Sequence, residues 1–335
     1  MKSHRTWGNK LFLNNGLVQF CGSLRLPQPF PALDFQSAFA TFAPSPLCRN
    51  AAMAHTTLVS AENTAAHLND PEWIICDCRH DLADYSAGYR AYRSGHLPGA
   101  RFLHLDVDLS GPKTGVNGRH PLPHPATFAL RLGALGIDNT KQIVAYDDSG
   151  GAYAARLWWM LRWVGHTRVA VLDGGWAAWQ RAGLPVTVAQ PEIEPLTFAG
   201  RVQHGIALDS AAVSASLNDR ASRIIDARAP DRYRGENETL DPVAGHIPGA
   251  LNRFFKQNLA DDGRFKPAAT LKSEFSGMLN RHTPETVIHQ CGSGVTACHN
   301  LLAMEIAGLS GSRLYPGSWS EWVSDRRRPV ATGAA

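Results

Sequence analysis

The chain has 335 residues, with 33 Lys and Arg against 29 Asp and Glu and a net charge of +4. That length suggests about two domains, and a composition 44% hydrophobic and 19% charged is ordinary for a globular protein. No run approaches the roughly 20 apolar residues that a bilayer span needs, and the one tight basic run, Arg326-Arg327-Arg328, has no interleaved aromatics, so neither a membrane nor nucleic acid is an expected partner.

Residues 1–54 read as an N-terminal extension without a fold of its own. Asp34 is the single acidic residue of the first 52, against Lys2, Arg5, Lys10, Arg25 and Arg49, and prolines stand at 27, 29, 31, 44 and 46. An acid-poor segment can be an organellar leader. The plainer reading is a disordered extension, or a start called too early with Met53 as the real beginning, and the protein is then expected in the cytoplasm. The six cysteines include no C-x-x-C pair, which speaks against a zinc ribbon or dithiol redox centre and for a reducing compartment.

From residue 55 onward the chain repeats itself once. In the first copy (55–188) an apolar run, Trp73-Ile74-Ile75-Cys76-Asp77-Cys78-Arg79, reads as a strand with Cys76 and Cys78 as small buried hydrophobes. His96-Leu97-Pro98-Gly99-Ala100 follows, then Tyr146-Asp147-Asp148-Ser149-Gly150-Gly151, then Asp173-Gly174-Gly175-Trp176-Ala177-Ala178-Trp179. A segment rich in Gln, Pro and Glu, 189–204, reads as the linker.

The second copy (205–330) answers block for block. Ile224-Ile225-Asp226-Ala227-Arg228 matches the first apolar run, with a strand expected over 223–227, His246-Ile247-Pro248-Gly249-Ala250 matches the first histidine block, and Pro316-Gly317-Ser318-Trp319-Ser320-Glu321-Trp322 closes the copy. Between them, 267–279 has helical spacing of Leu271, Phe275 and Leu279. Residues 286–290 are a further strand, and 296–307 a helix stopped by Gly308. Strands alternating with helices predict an α/β fold: two tandem domains, each a mainly parallel sheet with helices on both faces. In such sheets ligands bind where strands end and helices begin.

That place in the second copy is Cys291-Gly292-Ser293-Gly294-Val295-Thr296. Two glycines in four residues permit a loop whose N–H groups turn inward, and the following helix adds its positive end. A thiol held there is nearest to charges that favour a sulfur anion, so Cys291 is the expected nucleophile. Cys298, seven residues on, falls inside the helix and is expected to be inert. An offset of 143 residues maps Cys291 onto Asp148, so the first copy is expected to be non-catalytic.

The Cys-Gly-Ser-Gly-Val-Thr-Ala loop at 291–297, the paired His-x-Pro-Gly-Ala blocks and the Gly-Ser-Trp-Ser-Glu-Trp ending resemble the two-domain rhodanese family over about residues 55–330. The resemblance implies two rhodanese-like domains and a sulfurtransferase: Cys291 takes sulfur from thiosulfate or 3-mercaptopyruvate as a persulfide. It then passes the sulfur to cyanide or a thiol, with thioredoxin one such thiol. It implies no cofactor and no metal, and a monomer is expected. It also implies that Ser293 polarises the donor, that Arg232 binds the donor's anionic end, and that Gly292, Gly294, Val295 and Thr296 complete the donor site. Arg228 resembles the structural arginine of the strand-end motif. Where the mercaptopyruvate branch typically carries a second arginine, nine residues after the first, this chain has Asp241, so loop and clamp point to different donors. His96 resembles a first-domain histidine that some members place near the loop serine, backed here by Asp84 or Asp81; a buried structural role, as for His246, is the other reading.

Two other functions fit a cysteine at this position. A cysteine phosphatase of the same fold needs an arginine six positions after the nucleophile, where this chain has Ala297 in a loop one residue shorter. A non-catalytic partner-binding module would leave Cys291 unreactive.

Overall fold

A computed structural model describes residues 54–219 and 221–334. The extension expected over 1–54 therefore lies, but for Ala54, outside the described residues.

The first domain runs β1 (Leu58–Val59), α1 (Ala61–Ala66), β2 (Trp73–Asp77), α2 (Ala87–Ser94), β3 (Arg101–Phe102), α3 (Pro125–Ala134), β4 (Gln142–Tyr146), α4 (Ala154–Trp163), β5 (Val169–Leu172) and α5 (Gly175–Arg181). The second runs α6 (Ser210–Ser216), β6 (Arg223–Asp226), α7 (Pro230–Arg234), β7 (Leu251–Asn252), α8 (Ala268–Leu279), β8 (Val287–Gln290), α9 (Ala297–Ile306), β9 (Arg313–Leu314) and α10 (Ser318–Trp322). The sheets are ordered β1-β5-β4-β2-β3 and β7-β6-β8-β9, and every strand pairing within them is parallel.

Strand periodicity assigns the two faces of each sheet. Ile74, Cys76, Ile143, Ala145, Val169 and Val171 pack under α3 and α4, while Ile75, Val144, Tyr146, Ala170 and Leu172 pack with Tyr92 of α2 and Trp179 of α5 on the opposite face. The second sheet repeats this. Ile225 and Val287 face α8 and α9, and Ile224 and Ile288 face Val213, Tyr233, Trp319 and Trp322. Helices α4 and α9 pack on each other, so the inner faces of both sheets share one apolar core across the domain boundary. Residues 189–204 hold no helix or strand and lie along the first domain, with Leu196 N–H on Gly133 O at 2.9 Å and Phe198 buried.

The repeated motifs are repeated clamps. Asp77 and Asp226 are fully buried at the strand ends and bind Arg79 and Arg228 bidentately, at 2.6 and 2.7 Å for the shortest contacts. Each guanidinium also reaches a carbonyl of the turn before the histidine block, Gly95 O and Gly245 O, both at 2.7 Å, and lies over Trp176 or Trp319.

Candidate active site

Strand β8 is buried along its whole length and delivers Cys291 to the boundary between the domains. The residues after it cannot continue the strand, because Gly294 takes φ of 76° and a side chain there would stand 2.2 Å from Pro316 O. Helix α10 ties the loop down. Cys291 N–H donates to Ser318 Oγ at 3.1 Å, Trp319 N–H to Cys291 O at 3.0 Å, and Ser320 N–H to Gly292 O at 2.9 Å. Ser318 holds φ of 52°, a strained setting for a non-glycine residue, beside Cys291.

Strand register corrects the counterpart of Cys291. Asp77 pairs Tyr146 on β4, and Asp226 pairs Gln290 on β8, so the residue after Tyr146, Asp147, stands where Cys291 stands. Asp148 is the residue after it. The 143-residue offset misplaces the match because six residues separate Asp147 from α4 and only five separate Cys291 from α9.

Asp147 reveals what this kind of loop holds. Its carboxylate is fully buried and accepts the N–H groups of Ser149 (2.8 Å), Gly151 (2.8 Å), Tyr153 (2.7 Å) and Ala154 (2.9 Å). Burial lifts its pKa, and the four amides oppose that. The inward-turned N–H groups expected around the cysteine are thus seen here around a carboxylate. Among the described residues, no amide donates to the Cys291 sulfur. The covalent reach explains it: a carboxylate oxygen is two bonds from Cβ and a thiol sulfur only one.

Cys291 lines a cleft of about 620 Å³ formed by both domains, together with Gly292, Ser293, Val295, Thr296, Arg119, Arg232, Asp148 and Tyr153. Gly294 is not on the cleft wall; its carbonyl faces inward and accepts from Arg156 Nη1 at 2.9 Å. Cys298 is fully buried in α9, where burial pushes its thiol up to about 12.

The histidine beside Ser293 is His120, not His96. His120 Nδ1 lies 2.8 Å from Ser293 Oγ, and its Nε2 lies 3.6 Å from Asp106 Oδ1. Burial holds His120 well below the usual imidazole range, helped by Arg156, Lys113 and Arg119 and opposed by Asp106, so the ring is neutral at pH 7. In the neutral tautomer whose proton is on Nε2, the side facing Asp106, Nδ1 is free to accept from the serine hydroxyl. Burial works against Asp106, yet its bond from Lys113 Nζ at 3.0 Å keeps the carboxyl below its ordinary value.

His96 is instead a packing residue. Its Nδ1 meets Tyr92 O at 2.8 Å and its ring stacks on Tyr92 at 4.0 Å, just as His246 meets Tyr233 O at 2.8 Å and stacks at 3.8 Å. Asp84 pairs with Arg90 at the surface, and Asp81 accepts from Ala83 N–H. Neither reaches a histidine of the cleft.

The second arginine is also in the structure, on the other domain. Arg119 Nη2 lies 2.7 Å, and Arg232 Nη2 3.6 Å, from the position a Gly292 Cβ would occupy, so two guanidiniums flank the residue after Cys291. Asp241 ion-pairs with Arg119 and lies 3.4 Å from Arg232. Glu238 binds Arg232 at 2.8 Å and Arg228 at 3.3 Å. Burial opposes its ionisation, but the Arg232 hydrogen bonds hold it below its usual value.

One ligand-type cluster stands outside the cleft. His80, His104 and Asp106 offer atoms within 4.8 Å of one another. Both His104 nitrogens are already engaged, Nε2 with Tyr85 O at 2.8 Å and Nδ1 with Asp106 N–H at 3.1 Å, so the three do not present a ready ligand set.

Fold and site together define a class: two copies of one α/β domain sharing a cleft, only the second with a cysteine at the loop after its central strand. The rhodanese-like domain model matches residues 60–182 and 209–325. A protein of Pseudomonas aeruginosa, named as a probable 3-mercaptopyruvate sulfurtransferase, is 48% identical over 84% of this chain and 100% of its own length. The thiosulfate sulfurtransferase of Rattus norvegicus is 35% identical over 75% of this chain and 86% of its own. A crystal structure of a 3-mercaptopyruvate sulfotransferase from Escherichia coli superposes with a TM-score of 0.70 at 33% identity, covering 79% of this chain and 99% of that one. The chain belongs to the family of two-domain rhodanese-like sulfurtransferases. No helix among the described residues is long and apolar enough to cross a membrane.

Proposed function

We propose that the protein carries sulfur from 3-mercaptopyruvate to a thiol or cyanide through a persulfide on Cys291. The observation behind the choice of donor is the chain Ser293–His120–Asp106 beside the nucleophile, at 2.8 and 3.6 Å. Removing sulfur from 3-mercaptopyruvate breaks a carbon–sulfur bond and leaves the enolate of pyruvate, which needs a proton. Thiosulfate releases sulfite, which needs none. A hydroxyl backed by a neutral imidazole and a carboxylate is a device for moving that proton.

In the first half-reaction, thiolate Cys291 attacks the sulfur of the donor. The S–S bond forms, the C–S bond breaks, and its electron pair becomes the enolate. The donor's thiol proton passes through Ser293 and His120 to the enolate carbon, giving pyruvate and the Cys291 persulfide anion. In the second, the outer sulfur goes to cyanide as thiocyanate, or to a thiol as a new persulfide, and Cys291 returns as thiolate. Thioredoxin is one thiol acceptor that fits this step.

The two guanidiniums over Gly292 suit the donor's carboxylate through paired hydrogen bonds. The loop amides suit the persulfide. Its outer sulfur is two bonds from Cβ, the same reach at which the Asp147 oxygens meet four N–H groups in the first domain.

Mass spectrometry of the protein after treatment with 3-mercaptopyruvate tests the reading. One added sulfur is expected on the peptide containing Cys291, absent in Cys291→Ser and removed by cyanide. A wild-type protein that gains no sulfur, or gains it elsewhere, ends the proposal.

A further inference from the structure

Arg156 is the third residue of α4, in the first domain, and it is wholly buried. Its Nη1 donates to Gly294 O at 2.9 Å, inside the cysteine loop of the second domain. Its Nη2 donates to His120 O at 3.1 Å and Leu109 O at 3.3 Å. Nε has no partner, and among the described residues no carboxylate pairs with this cation. One side chain therefore fixes the loop that carries the nucleophile and the backbone that carries the histidine.

The other half of the molecule holds its mirror. His299 is the third residue of α9, and its Nε2 lies 3.0 Å from Gly150 O. Gly150 is the third residue after Asp147, as Gly294 is the third after Cys291. The paired helices thus each reach across to the same carbonyl of the opposite loop. They differ in charge. The donor to the Asp147 loop is a histidine that burial pushes down to about 4, hence neutral. The donor to the Cys291 loop is a cation. Burial lowers the Arg156 guanidinium's pKa, and the sulfurs of Cys298 and Cys291 oppose that.

A buried, unpaired charge is costly to keep. The groups facing Cys291 show what it answers. Arg228 at the end of β6 is taken by Asp226, Arg232 of α7 by Glu238, and Arg119 by Asp241. Lys256 and Asp148 are exposed at the cleft rim with opposite charges, Ser293, Tyr153 and His120 are neutral, and Cys298 is a buried thiol. The Asp147 loop contains its own anion and satisfies it with amides. The Cys291 loop acquires an anion only when its sulfur ionises or carries sulfur.

We propose that Arg156 is a positioning residue: the fixed counter-charge for the sulfur anion of Cys291, and the strut that holds the Gly294 and His120 carbonyls in one frame. The proposal rests on the sulfur-transfer reading. His299 holds the matching place without the charge because four amides already satisfy the carboxyl of its loop.

The test uses the full chain and three variants, Arg156→Gln, Arg156→Lys and His299→Gln, each checked for folding by circular dichroism. The readouts are the pH profile of iodoacetamide alkylation at Cys291, followed on its peptide, and kcat with 3-mercaptopyruvate. Arg156→Gln is expected to slow alkylation at pH 7 about tenfold, with the rate regained at higher pH, the equivalent of a profile moved by roughly one unit. Arg156→Lys keeps the profile but loses kcat, because an ammonium cannot span three carbonyls as the guanidinium fork does. His299→Gln leaves the profile in place.

Coincident profiles for Arg156→Gln and wild type overturn the proposal. So does an equal displacement in His299→Gln, which would mark simple loosening of the domain boundary. If Arg156→Gln does not accumulate folded, Arg156→Lys decides: a displaced profile or an unchanged kcat overturns the proposal. Sulfur loading of the wild type is scored separately, so failure of the transfer reading is distinguishable from failure of this one.

Discussion

Asp147 and Cys291 occupy the same step of the same strand in two copies of one fold: each follows the last residue of a central strand, and each carbonyl accepts the N–H of a tryptophan, Trp176 at 2.8 Å and Trp319 at 3.0 Å. Around this step the copies differ at two more matched places. His120, on Ser293, corresponds to Phe265 in the paired sequences Gly118-Arg119-His120 and Gly263-Arg264-Phe265; Arg156 corresponds to His299. Phe265 stacks on His299 at 4.5 Å, closing in apolar packing the space that the second domain keeps polar. One copy is organised around a buried carboxyl held by four amides, the other around a thiol.

The Asp147 carboxyl is structural, and removing it should be expensive. Asp147→Ala leaves four buried N–H groups without an acceptor. Each such group costs about 1–3 kcal/mol; with some rehydration, a loss of at least about 3 kcal/mol is expected by urea denaturation. Asp147→Asn should fall between, since one amide oxygen can serve only part of the nest. A loss under about 1 kcal/mol for the alanine variant would show that the nest tolerates vacancy.

The clamp makes a prediction about Asp241. The sequence alone suggests that an arginine there would improve use of 3-mercaptopyruvate. Because Asp241 ion-pairs with Arg119 and sits 3.4 Å from Arg232, Asp241→Arg should instead drive Arg119 away from Gly292 and raise KM for 3-mercaptopyruvate, by roughly tenfold if about 1.4 kcal/mol of binding is lost. The swapped double variant, Arg119→Asp with Asp241→Arg, should recover most of it, because the pair is restored with one guanidinium still beside Arg232. Equal KM values for the single variant and wild type would place Arg119 outside donor binding.

What was legible in the sequence follows a physical line. The parallel α/β sheets, the repeat and the cysteine loop were legible because each is written in contiguous residues: buried β-branched strands, glycines at a turn, a helix stop. The helix over 267–279 appears as Ala268–Leu279 with Leu271, Phe275 and Leu279 buried. The residues that reach the cleft from the first domain were not legible. His120, Arg119 and Asp106 lie in irregular chain between β3 and α3, where no periodicity marks them, and meet Ser293 and Gly292 only through the packing of α4 on α9. A signal was present in the contrast between His120 and Phe265 at matched positions, where one copy is polar and the other apolar. Of the two readings open for His96, the geometry is that of packing, as the recurrence of its motif at His246 had offered. Arg156 gave no sign, since a basic residue three places into a helix is normally solvated.

The proton relay should separate the two donors. His120→Gln keeps a hydrogen-bonding side chain but removes the base. With 3-mercaptopyruvate, kcat should fall about 100-fold, the scale of a positioned proton transfer. Sulfur loading from thiosulfate, whose leaving sulfite needs no proton, should fall far less. Asp106→Asn should act in the same direction through His120. Equal losses with both donors would mean that His120 serves the loop's shape and not its chemistry.

Buried neutral histidines predict an acid-sensitive fold well above the carboxylate range. Burial pushes His289 down to about 3 and His299 to about 4, and holds His120 low as well. In the unfolded chain each titrates near 6.5. Below that pH the unfolded state binds protons that the folded state refuses, so stability is level above about pH 6.5 and falls as pH drops toward the folded values. Each histidine contributes about 1.4 kcal/mol per pH unit across that window, so the three together remove roughly 6 kcal/mol by pH 5, a large part of an ordinary stability of 5–15 kcal/mol. The lowered carboxyl groups add their losses only below about pH 4.5. Thermal midpoints measured from pH 8 to 5 should be flat at first and then drop by at least about 10 °C between pH 6.5 and 5. His299→Gln should flatten that slope by less than a third, because burial also holds His80 and His166 below the free imidazole value and they take up protons on unfolding too. A midpoint that stays level down to pH 5 would mean these rings take up protons without unfolding, and the neutral state assigned to His120 and His299 would fall with it.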